Sequence, residues 1–183
     1  SDLTTLVSSN EAFFFKNFYL NDRTYRIFNY RLASWTLFQA DNALNCRGTM
    51  FDVTESPKLV SLPPEKFFNY EEGGVDHSLG VIGTKMVKMD GSLISTYIHN
   101  DELYLRTKGS LFSSQSYDSM KYLDNFYEIK NEIESLTKEG FTLNFEYTSP
   151  ENRVVVPYQE ERLTLLSIRD MSNGKTYHSN EML

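Results

Sequence analysis

The stretch Ser92-Leu-Ile-Ser-Thr-Tyr-Ile-His-Asn-Asp-Glu-Leu-Tyr-Leu-Arg-Thr107 decides the fold class. Ser92–His99 alternates weakly and is rich in β-branched and aromatic residues, Asn100-Asp101 is a turn signal, and Glu102–Thr107 returns as a second strand. The pattern predicts a β-hairpin. Downstream, Gln115–Glu139 reads as one helix, with Phe126, Ile129, Ile133 and Leu136 on one face and Gly140 as its stop. Phe141–Tyr147 then alternates strictly. Phe141, Leu143, Phe145 and Tyr147 point one way, and Thr142, Asn144, Glu146 and Thr148 the other. Arg153–Val156 and Leu163–Arg169 read as two more strands, and Asn173-Gly174-Lys175 as a turn. Upstream lie a helix around Ala12–Asn17 and strands near Tyr25–Tyr30 and Gly48–Val53. Val53–Pro64 and Tyr70–Gly83 carry the proline and glycine of loops. The class is α+β, built mainly on antiparallel β-sheets with flanking helices.

The chain has 183 residues and a formal net charge of −7, enough for one compact domain. Aromatics make up 14% of it, 12 Tyr and 13 Phe among them, which implies a packed core rather than a disordered chain. The longest apolar runs are a few residues, far short of the ~20 that span a bilayer, so no membrane partner is expected. No signal or transit peptide is visible. The single cysteine, Cys46, cannot form an internal disulfide and favours a reducing, cytoplasmic setting. Three scattered histidines without cysteine partners argue against a zinc site. A generic polyanion-binding surface is disfavoured by the charge, but the acid is uneven. Residues 1–110 hold 11 basic and 13 acidic side chains, residues 111–183 hold 7 and 12. A polyanion should therefore meet the first part.

The sharpest local feature is Lys88-Met89-Asp90-Gly91-Ser92, between the short apolar strand Met86-Val87 and the hairpin. A lysine at a strand–loop junction can be held against a ligand while glycine lets the backbone approach closely. Its amine is a nucleophile only when neutral, which burial or a nearby cation provides. An exposed lysine before a simple Asp-Gly turn is the plainer reading. Arg47 in Asn45-Cys-Arg-Gly-Thr-Met-Phe51 offers a planar fork for phosphate oxygens, or is an ordinary surface arginine. Lys66 stands beside Phe67 and Phe68, each more readily placed in the core. Thr107-Lys108-Gly109-Ser110 offers a cation, an open backbone and a hydroxyl, or a plain strand end. Glu146 lies on the polar face of a strand whose other face is apolar, where it is either a solvated carboxylate or an acceptor for a ribose hydroxyl or a metal-bound water.

Together, in this order and approximate spacing, these strings resemble the RNA ligase 1 family of bacteriophages, the phage T4 type. Tyr25–Trp35, Ser92–Tyr97 and Asn152–Glu160 add to the resemblance, which covers about residues 12–175. It implies a nucleotidyltransferase (ATP-grasp-like ligase adenylation) domain. Lys88 would attack the α-phosphorus of ATP to give a lysyl–AMP, the AMP would pass to an RNA 5′-phosphate, and a 3′-hydroxyl would seal the strand. Arg47 and Lys66 would contact the β- and γ-phosphates, Lys108 and Ser110 would lie near the nucleotide, Asp90 and Gly91 would shape the nucleophile loop, and Glu146 would sit by the ribose and the waters of a Mg²⁺ ion. Such cations suit a heavily anionic transition state. The implied partners are RNA ends, as in broken transfer RNA, and an end-healing kinase–phosphatase, in the cytoplasm of an infected host. The family's later Glu-Gly and Lys-x-Lys strands find no match after Arg169, and its C-terminal helical domain has none either. The expectation is a partial adenylyltransferase domain over residues 1–183, weak or inactive by itself. A non-catalytic nucleotide- or RNA-end-binding module on the same fold stays open, as does a related DNA ligase or RNA-capping guanylyltransferase. The Arg47 and Lys66 strings lie outside the shared nucleophile motif and favour the RNA ligase branch.

Overall fold

A computed structural model describes residues 2–69, 72, 88–151 and 158–178. Two antiparallel sheets pack face to face. The first has four strands in simple order: β1 (Phe13–Leu20), β2 (Arg23–Tyr30), β3 (Thr49–Asp52) and β4 (Lys58–Ser61). The second has five. These are β5 (Ser92–His99), β6 (Glu102–Thr107), β7 (Phe141–Thr148), β8 (Arg162–Asp170) and β9 (Thr176–His178), ordered β6-β5-β7-β8-β9. Helix α1 (Asp2–Ser9) covers part of the first sheet, and α2 (Ser114–Leu123) and α3 (Tyr127–Lys138) cover the second. Among the described residues no helix is long and apolar enough to cross a membrane.

The expected hairpin is β5–β6. Asn100 and Asp101 both adopt positive φ (48° and 66°), the geometry of a two-residue type I′ turn. Four expectations change. The expected Ala12–Asn17 helix is strand from Phe13 on: the apolar run Phe13-Phe14-Phe15 pairs residue for residue with β2, and periodicity alone cannot separate short apolar helices from strands. The 115–139 helix is two. Asn125 turns its amide onto the carbonyls of Tyr122 (3.1 Å) and Lys121 (3.4 Å), and this competition with the ladder ends α2. The buried side of α3 is accordingly Ile133 and Thr137, while Phe126 and Ile129 are exposed. The loop Val53–Pro64 contains β4, and β9 follows the Asn173-Gly174-Lys175 turn. Arg153–Val156, Met86-Val87 and most of Tyr70–Gly83 lie outside the described residues.

Beneath the helices, Ile94, Leu103, Leu105, Leu123, Ile133, Leu143, Phe145 and Tyr147 form the larger apolar cluster. The alternate residues of β7 turn to the first sheet and are buried as well. The Thr142 hydroxyl accepts from Leu62 N–H (3.0 Å), and Asn144 pairs with Ser95 (2.6 Å). The layer between the sheets thus sets polar pairs beside a third apolar cluster, in which Tyr25, Ile27 and Met50 of the first sheet meet Tyr97 of the second. Arg106, fully buried, donates twice to the Ser61 hydroxyl (3.1 and 2.9 Å), and burial pushes its pKa down to about 9.

Candidate functional site: a cation cluster facing the Lys88–Gly91 loop

The site forms where loops of both sheets meet. From the first sheet comes Tyr30, the last residue of β2. Two lysines stand over its ring: Lys66, with Nζ 5.8 Å from the centroid, and Lys108, at 5.1 Å. The Lys108 backbone is fixed across the sheets, because its carbonyl accepts from Asn29 Nδ2 (3.0 Å). It also runs hard against Gly48, where an added Cβ would lie 2.8 Å from Lys108 Cγ, and whose φ of +91° suits glycine. Arg47, just before Gly48, donates to the Pro64 carbonyl (3.3 Å) and lies 5.3 Å over the Phe67 ring. Phe68 packs against Phe38 as expected of a core residue, but Phe67 is 63% exposed. Burial lowers the Lys108 pKa; Tyr30 opposes this, and Arg47 and Lys66 add to it. Three cations from three separate segments therefore share one electrostatic neighbourhood, the arrangement a polyphosphate neutralises.

From the second sheet comes the Lys88–Gly91 loop. Gly91 N–H donates to Glu146 Oε1 (2.9 Å), and Asp90 N–H donates to the Tyr158 hydroxyl (2.7 Å). Glycine is required at 91 by space: an added Cβ would sit 2.2 Å from the Tyr147 carbonyl oxygen. The loop is thereby pressed onto β7 with Lys88 exposed at its mouth. Glu146 is no solvated strand residue. Burial raises its pKa; the Gly91 hydrogen bond opposes this, Asp90 raises it further, and Arg47 and Lys88 pull it back. Arg47 links the two halves, since its charge is felt by both Lys108 and Glu146. The seven expected residues Arg47, Lys66, Lys88, Asp90, Gly91, Lys108 and Glu146 thus gather in one place. Ser110 has a different role: its hydroxyl accepts from Phe112 N–H (3.0 Å) and shapes its own loop.

Tyr30, Tyr158 and Arg169 also shape the site, and no single-residue pattern singled them out. Arg169 on β8 is 3% exposed. It donates to Asn45 Oδ1 (2.9 Å), the Pro63 carbonyl (2.7 Å), Glu65 Oε1 (3.2 Å) and the Gly174 carbonyl (3.0 Å). Asn45 precedes Arg47 by two residues and Glu65 adjoins Lys66, so one buried guanidinium ties down both cation-bearing segments. Cys46, buried with its thiol donating to the Asn29 carbonyl (3.1 Å), has its pKa pushed up to about 12 by burial and is inert at neutral pH. Asn29 Oδ1, also buried, has no partner among the described residues.

Among the described residues no three acidic, histidine or cysteine side chains cluster as a direct metal cage. Glu146 beside Asp90 suits a looser arrangement, in which a hydrated divalent ion relieves the like charges through its waters. The RNA ligase family profile matches residues 45–182, a span that contains all seven gathered residues. A provisionally named RNA ligase of Thermovibrio ammonificans is 27% identical over 149 residues, 80% of this chain and 39% of its own length. A provisionally named bifunctional polynucleotide kinase/RNA ligase of Autographa californica nuclear polyhedrosis virus is 29% identical over 161 residues, 76% of this chain and 23% of its own length. The chain thus spans less than half of either relative. With the profile covering most of the chain, and every residue of the cation cluster and of the Lys88–Gly91 loop inside it, this protein belongs to the T4 RNA ligase 1 type of the RNA ligase family.

Proposed function

We propose that the chain is the nucleotidyl-transfer part of an ATP-dependent RNA ligase. The Lys88 amine attacks the α-phosphorus of ATP, the bond to pyrophosphate breaks, and the amine proton is lost, leaving a lysyl–AMP phosphoramidate. A 5′-phosphate oxygen of RNA then takes the AMP and frees the lysine. A 3′-hydroxyl attacks that activated phosphate, a phosphodiester forms, and AMP departs. The observation that carries the reading is the convergence of Arg47, Lys66 and Lys108 on one side of the site and Lys88 on the other. Charge in place before reaction supplies most of the catalysis of phosphoryl transfer. Arg47, Lys66 and Lys108 hold the polyphosphate, and Gly91 and Glu146 fix the loop that presents Lys88. A magnesium ion, where bound, would be held through water by Glu146 and Asp90 and would supply further charge neutralisation. The RNA ends are those of a cleaved strand such as transfer RNA, made ready by an end-healing kinase–phosphatase. The viral relative whose name joins polynucleotide kinase to RNA ligase supports that pairing.

One feature favours a second reading, a nucleotide- or RNA-end-binding module without chemistry: Lys88 is exposed, whereas a lysine nucleophile needs a neutral amine. Incubation with Mg²⁺ and ATP labelled at the α-phosphate, followed by denaturation, separates the two. A covalently labelled band, however faint, that disappears in Lys88→Ala is the expected result. An unlabelled protein favours the module, label surviving in Lys88→Ala moves the nucleophile elsewhere, and preference for GTP points to a capping enzyme.

A further inference from the structure

We propose that the outer face of the β1–β2 hairpin, along its β1 side, forms a platform for single-stranded RNA, with Phe15 and Tyr19 stacking on bases and Arg26 holding a phosphate beside them. The identity of the polyanion rests on the RNA ligase reading; the platform itself rests on the hairpin.

On one face of this sheet, α1 and Phe38 cover Phe13 and Phe28. The cover stops there. Phe15, opposite Phe28 in the register, is 40% exposed, and Tyr19, two pairs further on in the same parity, is 70% exposed. Among the described residues β1 is the outermost strand of its sheet, so these rings stand at its edge. Exposed aromatics on an edge strand expose a chain to aggregation unless something occupies them.

The charge around the rings names the occupant. Between Phe13 and Arg31 the sequence holds four basic side chains, Lys16, Arg23, Arg26 and Arg31, and one acidic, Asp22, in a chain of net charge −7. Arg26 lies 4.1 Å over the Phe15 ring and is held there by its Nε donating to Asn17 Oδ1 (2.8 Å), while its terminal amines have no partner among the described residues. Arg31, 4.4 Å over Phe14, and Lys16, 5.4 Å over Phe18, stand on the opposite face of the hairpin and add basic charge around it. Aromatic faces interleaved with arginine are what sequence-tolerant single-strand binding uses: bases stack on the rings and cations track the backbone. The platform lies on the same strand as the nucleotide site, beyond the Phe13 and Phe28 rings that α1 and Phe38 cover. Arg31 follows Tyr30, and Arg26 lies four residues back along the same strand, ~13 Å at the usual rise.

The test measures anisotropy of a fluorescent, 5′-phosphorylated, single-stranded oligoribonucleotide of mixed sequence against the whole chain at several salt concentrations. Phe15→Ala/Tyr19→Ala is expected to weaken binding about tenfold or more, the range of lost base stacking. Arg26→Gln is expected to lower the slope of log affinity on log salt by about 0.7, one phosphate contact on a single strand. Tyr19→Ala alone, at a residue already largely in solvent, keeps the test sound if the double variant fails to fold; it is expected to weaken binding several-fold. Wild-type affinity in these folded variants, or no RNA binding by the wild type, overturns the platform. So does a variant that only turns a self-associating chain into a monomer in sedimentation, which would make the face a contact between copies. Label on Lys88 is the independent control: its absence in a protein that binds RNA through the hairpin breaks the nucleotidyl-transfer reading and leaves the platform standing.

Discussion

The five-stranded sheet turns an apolar face to α2 and α3, and to the four-stranded sheet a face on which a polar layer adjoins the apolar cluster of Tyr97, Tyr25, Ile27 and Met50. On the first, Leu103, Leu105, Leu143 and Phe145 meet Leu123 and Ile133. On the second, Ser95 meets Asn144, Arg106 meets Ser61, and Arg169 meets Pro63 and Asn45. The two faces do different things. Apolar contact is non-directional and holds layers together without fixing their offset to a fraction of an ångström. Each hydrogen bond of the polar layer has one partner at one position. That matters here because the site is split between the layers. Arg47 and Lys66 come from loops of the four-stranded sheet, whereas Lys88, Lys108 and Glu146 come from the five-stranded one. The polar layer therefore aligns the two halves, and the apolar face supplies the stability that lets it do so.

Damage of similar size to each face shows which of the two reaches the site. Leu143→Ala, at a residue 2% exposed under the helices, is expected to cost about 4 kcal/mol in urea unfolding, the sum of lost transfer energy and a residual cavity. Its KM for ATP in the labelling reaction, measured below the melting range, is expected to equal that of the wild type. A raised KM would mean that the apolar face positions the site as well.

Arg169→Ala acts on the other face and is expected to cost less, about 3 kcal/mol, chiefly because the acceptors at Pro63, Asn45 and Gly174 lose their charged donor inside the protein. Unlike Leu143→Ala, it should raise the KM for ATP several-fold, because the segments bearing Arg47 and Lys66 lose their common anchor. Arg169→Lys, which keeps the charge but not the fork, should recover stability better than it recovers KM. Equal KM values in Leu143→Ala and Arg169→Ala would reduce Arg169 to a structural residue.

The same two faces explain what could be read from the chain. Phe141–Thr148 alternates in the sequence as it alternates in space, and the Asn100-Asp101 turn carries its own conformational preference, so β5, β6 and β7 were legible locally. What alternation could not say is that the polar side of β7 is buried too. Thr142, Asn144 and Glu146 look solvated until a second sheet is laid over them, and that sheet is placed by contacts between residues such as Leu62 and Thr142, 80 positions apart. Strand β4 escaped for the same reason: its four residues lie in a proline-flanked loop, and their pairing with β3 makes them a strand. The cations of the site were legible as residue types in family-like strings. Arg169 was not, because nothing adjacent to it in sequence reveals that its guanidinium reaches across to the loops before Arg47 and Lys66. Tyr30 lay inside a stretch that resembled the family, yet its role depends on two lysines brought to it by tertiary structure.

The smallest expected effect lies at Glu146, where the polar face meets the site, and it differs in sign from the others. Burial, reinforced by Asp90, raises the pKa of this carboxyl above its ordinary value despite the hydrogen bond from Gly91. The folded protein therefore keeps a proton that the unfolded chain has already released as pH climbs out of the ordinary carboxylate range near 4. Through that window stability falls with rising pH, and above the native pKa the whole penalty is present. Glu146→Gln removes the titration while leaving an oxygen to accept from Gly91. The variant is expected to gain on the wild type in melting temperature between pH 4 and pH 7, by the equivalent of about 1 kcal/mol or less, because a neutral acceptor makes the weaker hydrogen bond. Its labelling by ATP should nevertheless fall. A site that costs stability when empty and repays it in chemistry is the usual sign of a group held for function. A variant that instead lost ground to the wild type as pH rose would show that Glu146 is a structural acceptor for Gly91, and the polar face would then end in a plain strand contact.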